Sequence, residues 1–171
     1  LKNLLEKIAQ SVIRFKQFYF KANAIDYRYA GSMCDDCSTL IPPDMWEEFV
    51  IPYMDLIYSD VGGDKRSLHA EGMVDKHLKH LETLGITWFD PSVSPKLSPR
   101  IIQGNCRVPF IWRMASIYHS RLNKTLAKDF VFASVRDGAN GVFTEAVHMD
   151  SGSVDVIKGF IEACLLVEEM Y

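Results

Sequence analysis

Short apolar segments alternate with amphipathic helical segments along this chain, and this alternation limits the possible folds more than any single motif does. Residues 1–22 have helical periodicity, and about five β-then-α units follow them. Such alternation is typical of parallel strands that are joined by crossover helices. The predicted strands span residues 24–33, 66–69, 86–89, 108–112 and 141–147, and the predicted helices that follow them begin near Asp44, Val74, Pro95, Thr125 and Val154.

The chain is too short to close a complete barrel of such units. An eight-unit (β/α) barrel usually takes about 250 residues, whereas this chain has 171. Its hydrophobic content of 48% is enough for one sizeable core. We therefore expect a single α/β domain over residues 1–171, a partial TIM-type (β/α) barrel of about five parallel β-α units, in which residues 1–23 form a leading helix.

Local signals predict where helices begin and bend. Asp44 is followed three residues later by a glutamate, a capping-box arrangement that predicts a helix with Asp44 as its N-cap. Pro52 is expected to break or kink that helix. In the helix predicted over residues 74–84, we expect His77 and His80 to face solvent.

Composition excludes several classes of protein. The formal net charge is -3 and the basic residues are dispersed, so no surface for nucleic acid is expected. No apolar run approaches the roughly 20 residues of a membrane span, so the chain is predicted to be cytoplasmic without membrane contact. The four cysteines are too few for a disulfide framework in a chain of this size, and we expect reduced thiols.

Two predicted strand ends carry side chains that bind metals or transfer protons. His69 and Glu71 follow one strand, while Glu145 and His148 lie at the end of the last. In an α/β barrel the carboxyl ends of the strands face a shared mouth, so His69, Glu71 and His148 are expected to lie close together. Two imidazoles and a carboxylate are a common ligand set for catalytic zinc, and in a facial arrangement they also suit non-haem iron. Glu145 would point to the opposite face from His148, as a supporting residue or outside the site.

Each of these residues also has a purely structural alternative. His69 and His148 could be hydrogen-bonded residues of the barrel mouth that bind no metal, and Glu71 could be a solvated loop carboxylate. Asp35 and Asp36 follow the first predicted strand. Either aspartate could contact substrate or act as a base, or could cap the next helix.

Cys34-Asp-Asp-Cys37 has the spacing of a redox motif. It lacks the thioredoxin-like βαβ context, and the adjacent acids are expected to raise the pKa of the thiols. A redox function is therefore not expected.

Four segments in succession point to a family: Asp35-Asp36, Leu40-Ile-Pro42, Met45-Trp-Glu-Glu-Phe49 and Ile51-Pro-Tyr53. In this order they resemble the central segment of the uroporphyrinogen decarboxylase-like superfamily. That superfamily also contains cobalamin-dependent methyltransferases, including methylcobamide:coenzyme M methyltransferases. The resemblance spans roughly residues 24–171 and implies that the chain corresponds to the C-terminal part of the family barrel.

The resemblance also implies a metal site. His69-Ala-Glu71-Gly72 resembles the His-x-Cys-Gly segment of the methyltransferases. His148 falls where methyltransferases place a third zinc-ligand cysteine and decarboxylases place a histidine. The implied ligands are therefore His69, Glu71 and His148, with zinc as the implied metal.

Further residues are assigned partly from the resemblance and partly from residue type and position. Asp90-Pro91 resembles the Asn-Pro or Asp-Pro strand end of the methyltransferases, and Gln103-Gly104-Asn105 resembles their Gly-Asn strand end. Aromatic side chains such as Trp88 could line a pocket for a flat cofactor. The predicted catalytic residues are Asp35, Asp36 and Glu145, and the predicted cofactor-binding residues are Asn105 and Trp88.

The resemblance implies a corrinoid-dependent methyltransferase-like protein. It would transfer a methyl group between cobalamin, free or on a partner corrinoid protein, and a small thiol or folate-type acceptor at the metal site. The first alternative is a tetrapyrrole-binding, decarboxylating protein without metal, in which His148 contacts the substrate. The second is a non-catalytic barrel fragment.

The missing units bear on activity and assembly. Family members carry a substrate-binding, arginine-rich segment and a catalytic aspartate in an N-terminal half that this sequence does not match. Open parallel edges expose unpaired backbone groups. We therefore expect a homo-oligomer, or pairing with the missing N-terminal half.

Overall fold

A computed structural model describes residues 1–61, 65–146 and 151–170. The described residues form five strands: β1 (Ser32–Cys34), β2 (Ser67–His69), β3 (Trp88–Asp90), β4 (Ile111–Met114) and β5 (Gly141–Thr144). β1, β2 and β3 make one parallel sheet in that order, and β4 pairs with β5 in a second parallel sheet. A parallel bridge between Phe89 and Phe110 joins the two sheets. The prediction of a mixed α/β fold with parallel strands is confirmed. The described strands are arranged side by side in the order β1 to β5 and do not close into a barrel.

The helices of the described residues are α1 (Lys2–Ala22), α2 (Trp46–Phe49), α3 (Ile51–Val61), α4 (Leu78–Thr83), α5 (Pro99–Asn105), α6 (Lys124–Arg136) and α7 (Ser151–Met170). Helices α2 to α6 connect successive strands, whereas α1 precedes β1 and α7 follows β5. Ser98 caps α5 by accepting a hydrogen bond from the Ile101 N–H, and Asn123 caps α6 in the same way. None of the described helices has the length and apolar character required to cross a bilayer.

The two faces of the sheets differ in burial. The central residues of β2 and β3, Leu68 and Phe89, point toward the helices and are fully buried in the main core. The residues that flank them alternate to the other face and remain partly exposed, including His69 and Asp90. That face borders an open cleft of about 460 Å³, lined by Ser32, Ser67, Leu68, His69, Trp88, Asp90, Ile111 and Phe143.

Several predicted boundaries are wrong for local reasons. The first strand begins at Ser32 rather than residue 24, because the Asp26 side chain accepts a hydrogen bond from the Arg28 N–H and starts a 3₁₀ turn. Asp44 does not cap a helix but lies inside a 3₁₀ turn that Pro43 opens. The helical segment does break before Pro52, where α2 gives way to α3.

The prediction that His77 and His80 face solvent is wrong. Both side chains are buried, and both lie against the ring of Trp46, which is 0% exposed. His80 Nε2 lies 3.0 Å from the Pro43 carbonyl oxygen, and His77 Nδ1 accepts a hydrogen bond from the Val74 N–H. His77 ends a 3₁₀ turn just before α4, and His80 lies within α4. The apolar spacing of this short segment did not reveal that imidazole groups would fill this part of the core.

Burial of His77 predicts a loss of stability in mild acid. Burial lowers the pKa of His77, and the nearby His80 lowers it further. The hydrogen bond to Ile41 and the charge of Asp75 raise this pKa and oppose part of the shift. An unfolded histidine titrates at about 6.5, so below that pH the unfolded chain binds a proton that the native chain excludes. Stability should fall by up to about 1.4 kcal/mol per pH unit below pH ~6.5, down to the native pKa.

Urea unfolding of the wild type and His77→Gln at about pH 7.5 and 5.5 measures this effect. The variant should lose less stability than the wild type between the two pH values. An equal loss in both proteins would show that His77 does not set the acid limit.

Candidate functional site

The pairing of β1, β2 and β3 brings three chemically active residues into one row. Cys34 lies opposite His69, and His69 lies opposite Asp90. Each is the last residue of its strand. Parallel strands place their carboxyl ends at the same edge, so this row forms where the sequence predicted a site.

His69 is held in a defined orientation by Asp90. Its Nδ1 lies 2.7 Å from Asp90 Oδ2, and a carboxylate only accepts hydrogen bonds, so Nδ1 carries the proton. The other oxygen of Asp90 accepts a hydrogen bond from the Ser92 N–H at 2.8 Å. Nε2 of His69 therefore presents a lone pair in the neutral ring, and it lies 3.7 Å from Asp36 Oδ1.

The two neighbouring aspartates have different roles. Asp36 Oδ1 accepts a hydrogen bond from the backbone N–H of Glu71 at 3.2 Å, which holds this carboxylate beside β2. Asp35 Oδ1 accepts hydrogen bonds from the N–H groups of Cys37 and Ser38, so it caps the next turn. The structure thus brings Asp36 to the site, whereas Asp35 has the capping role that sequence reasoning left open.

Cys34 completes a compact group of possible ligands. One ligand atom each from Cys34, Asp36 and His69 lies within 4.8 Å of the others. We call these three residues the Cys-Asp-His group. On tetrahedral zinc, ligand atoms about 2.0–2.3 Å from the metal lie about 3.3–3.7 Å apart, so the group needs a contraction of about 1 Å. Thiolate, carboxylate and imidazole are all zinc ligands, so these residue types could hold a metal ion once the group has contracted.

Negative charge surrounds the Cys34 thiol. Partial burial raises its pKa, and the carboxylates of Asp36 and Asp35 raise it further. This agrees with the prediction that the adjacent acids disfavour the thiolate. The thiols of all four cysteines are free in the structure.

Arg113 connects this group to Glu145, and sequence reasoning missed it. Its Nη2 lies 3.4 Å from Asp90 Oδ2, and its Nη1 lies 2.8 Å from Glu145 Oε1. The guanidinium carbon also lies 4.5 Å from the centre of the Phe143 ring. Glu145 is therefore linked to His69 through Arg113 and Asp90. A charged residue inside the apolar segment of β4 was the available signal.

The structure places the other predicted residues as follows. The Glu71 carboxylate accepts a hydrogen bond from the Ser92 hydroxyl at 2.7 Å, next to the Cys-Asp-His group. Trp88 borders the cleft together with His69. Asn105 ends helix α5 and bonds the Ile101 carbonyl, so its predicted position at a strand end is wrong. His148 lies outside the described residues.

The comparisons with known proteins identify a family. No curated protein matches the chain. The family model described as uroporphyrinogen decarboxylase (URO-D) matches residues 1–118, which include Asp36, His69 and Asp90 but neither Glu145 nor His148. The match starts earlier than the predicted resemblance, since it includes α1, and it ends at Tyr118. Because it covers 118 of the 171 residues, the chain belongs to the uroporphyrinogen decarboxylase family.

Proposed function

We propose that this chain is a corrinoid-dependent methyltransferase-like member of its family, with a metal ion bound at His69. The methyl group would pass between a cobalamin, free or on a corrinoid protein, and a small thiol or folate-type acceptor. The observation that carries the proposal is the 2.7 Å contact between His69 Nδ1 and Asp90 Oδ2. Metal-binding histidines usually donate the N–H of their second ring nitrogen to a carboxylate, a backbone carbonyl or water.

The charged neighbours of His69 support a ligand role. Asp90 Oδ2 accepts the hydrogen bond from His69 Nδ1, and Arg113 Nη2 lies 3.4 Å from the same oxygen. The side chain of His69 is 26% exposed and lines the cleft. A histidine that served packing alone would not need an ionic support at this strand end.

A bound metal ion would lower the pKa of a thiol or hydroxyl acceptor, making its anion available near neutral pH. The cleft beside His69 also offers apolar surface, and a carboxylate lies near it. Trp88 and Phe143 offer apolar surface on the same side as His69, suited to a flat cofactor. Arg113 holds Glu145 near the cleft, where its carboxylate is a candidate proton acceptor.

The half-exposed inner face of the strands supports the proposed partial barrel. In a closed (β/α) barrel the inward side chains are covered by the opposite strands. Here the inward residues of β1 and β5 have no further neighbour among the described strands. We propose that added parallel strands complete this face, supplied by a second copy or by the family's N-terminal half.

Metal analysis and cobalamin binding test the proposal. Chelator-washed protein reloaded with zinc should hold about one ion per chain, and His69→Ala should hold almost none. Asp90→Asn should weaken zinc binding by about 10–100-fold, because it removes the partner that orients His69. Asp129→Asn, which changes an exposed carboxylate on α6, is the matched control and should bind zinc normally.

Methylcobalamin distinguishes the proposed methyl transfer from the decarboxylase alternative. The zinc-loaded chain should bind methylcobalamin, seen as quenching of Trp88 fluorescence against a Trp88→Phe control, and should demethylate it when a thiol is added. The proposal would be contradicted if the folded protein took up no zinc. It would also be contradicted if the protein bound a carboxylated porphyrin and did not bind methylcobalamin.

A further inference from the structure

We infer that the Cys-Asp-His group is a metal centre in which β1 and its following loop supply two ligands, Cys34 and Asp36, and β2 supplies His69. This inference rests on the proposed function and names the ligands of its metal site. It differs from the ligand set expected from sequence, which used Glu71 and His148.

Strand pairing places Cys34 for this role. β1 and β2 are parallel and Cys34 lies opposite His69, so both side chains project from the same face at the same edge. β2 is paired on both sides, which fixes the position of His69. Two ligands from adjacent paired strands form a rigid base for a metal ion.

Asp36 is drawn over the same edge from the loop. Its Oδ1 accepts the Glu71 N–H and lies 3.7 Å from His69 Nε2, close to the separation of two ligands on one zinc ion. Its side chain is 47% exposed, so the carboxylate can turn toward an incoming cation. Glu71 sends its own carboxylate to the Ser92 hydroxyl, which leaves Asp36 as the nearer acidic ligand.

A second observation outside the group points to a metal. Asp90 accepts the hydrogen bond from His69 Nδ1, which leaves the lone pair on Nε2, the nitrogen that lies 3.7 Å from Asp36 Oδ1. Three protein ligands with a further position open toward solvent is the arrangement of a catalytic zinc site. A thiolate in the set favours zinc over magnesium or calcium.

Cobalt(II) is the probe that reports each ligand type. The 171-residue chain loaded with Co²⁺ should show a near-ultraviolet sulfur-to-cobalt charge-transfer band. Cys34→Ser should lose this band, whereas Cys37→Ser, two residues beyond Asp35 on the same loop, should retain it. Asp36→Asn should weaken Co²⁺ binding at least about 10-fold, while Glu71→Gln should change it by less than about twofold.

The outcomes separate this inference from the proposed function. Absence of Co²⁺ binding by folded wild type, a band that survives Cys34→Ser, or a larger effect of Glu71→Gln than of Asp36→Asn would overturn the ligand assignment. Zinc binding that requires His69, together with Co²⁺ binding that gives no sulfur-to-cobalt band, overturns the inference and leaves the proposed methyl transfer standing. The expected band without any reaction of methylcobalamin supports the metal centre and contradicts the proposed function. Circular dichroism of each variant confirms that it is folded.

Discussion

Replacement of Trp46 by alanine is expected to lower the free energy of unfolding by about 3–5 kcal/mol, the usual cost of truncating a buried aromatic side chain. The Trp46 ring is fully buried in the main core and packs against both His77 and His80. Its Nε1–H lies 3.1 Å from the Ser38 carbonyl oxygen and 3.2 Å from that of Ile41. Alanine would leave a cavity and also release the turn that follows Asp35 and Asp36.

Urea unfolding followed by circular dichroism measures this loss. Trp88→Ala is the matched control, since it removes the same type of side chain from a site where it is 39% exposed. The control should cost less than half as much, because the ring loses less buried surface. Equal losses in the two variants would show that Trp46 is not the main support of this part of the core.

Gly31→Ala is expected to destabilise the chain by about 3 kcal/mol or more, at the upper end for overpacking, because backbone cannot yield as a side chain does. A Cβ at Gly31 would lie 2.1 Å from the carbonyl oxygen of Lys65. Gly31 also accepts a hydrogen bond from the Ser67 N–H at the start of the β1–β2 pair. Relief of the clash would move β1 away from β2 and separate Cys34 from His69.

Gly104→Ala is the control for this prediction. Gly104 lies within α5, and a Cβ there would meet no atom within 4 Å. Alanine in a helix is favoured over glycine by about 0.5–1 kcal/mol, so this variant should be neutral or slightly more stable. The unfolding curve of Gly31→Ala is therefore expected to shift to lower urea, and that of Gly104→Ala to stay in place or shift to higher urea. A Gly31→Ala protein as stable as the wild type would contradict the close approach of the two backbones.

The sequence was sufficient for the elements that depend on local pattern. Long helical periodicities predicted α1, α6 and α7 to within a few residues, because their apolar spacing repeats over several turns. The first strand was misplaced because alternating aromatic residues also occur in the 3₁₀ turn that Asp26 begins. A strand of three residues is too short to leave a clear period of its own.

In the candidate site, too, some residues could be predicted from local sequence and others could not. His69 and Asp36 were found from sequence because metal-binding and acidic residue types follow predicted strands. Arg113 was missed because its two carboxylate partners, Asp90 and Glu145, are 23 and 32 residues away in the chain. Cys34 was considered only with Cys37, its neighbour in sequence, whereas strand pairing sets it opposite His69.

Sequence by itself determined that this chain alternates strands and helices, that the strands run parallel, and which residue types stand at their carboxyl ends. These properties follow from periodicity and residue chemistry, which act over a few positions. Only the tertiary structure decided which ends meet, that Asp35 caps a turn while Asp36 faces His69, and that His77 and His80 are buried. Those outcomes depend on strand register and on packing between residues far apart in the chain, where a shift of one residue turns every side chain to the opposite face.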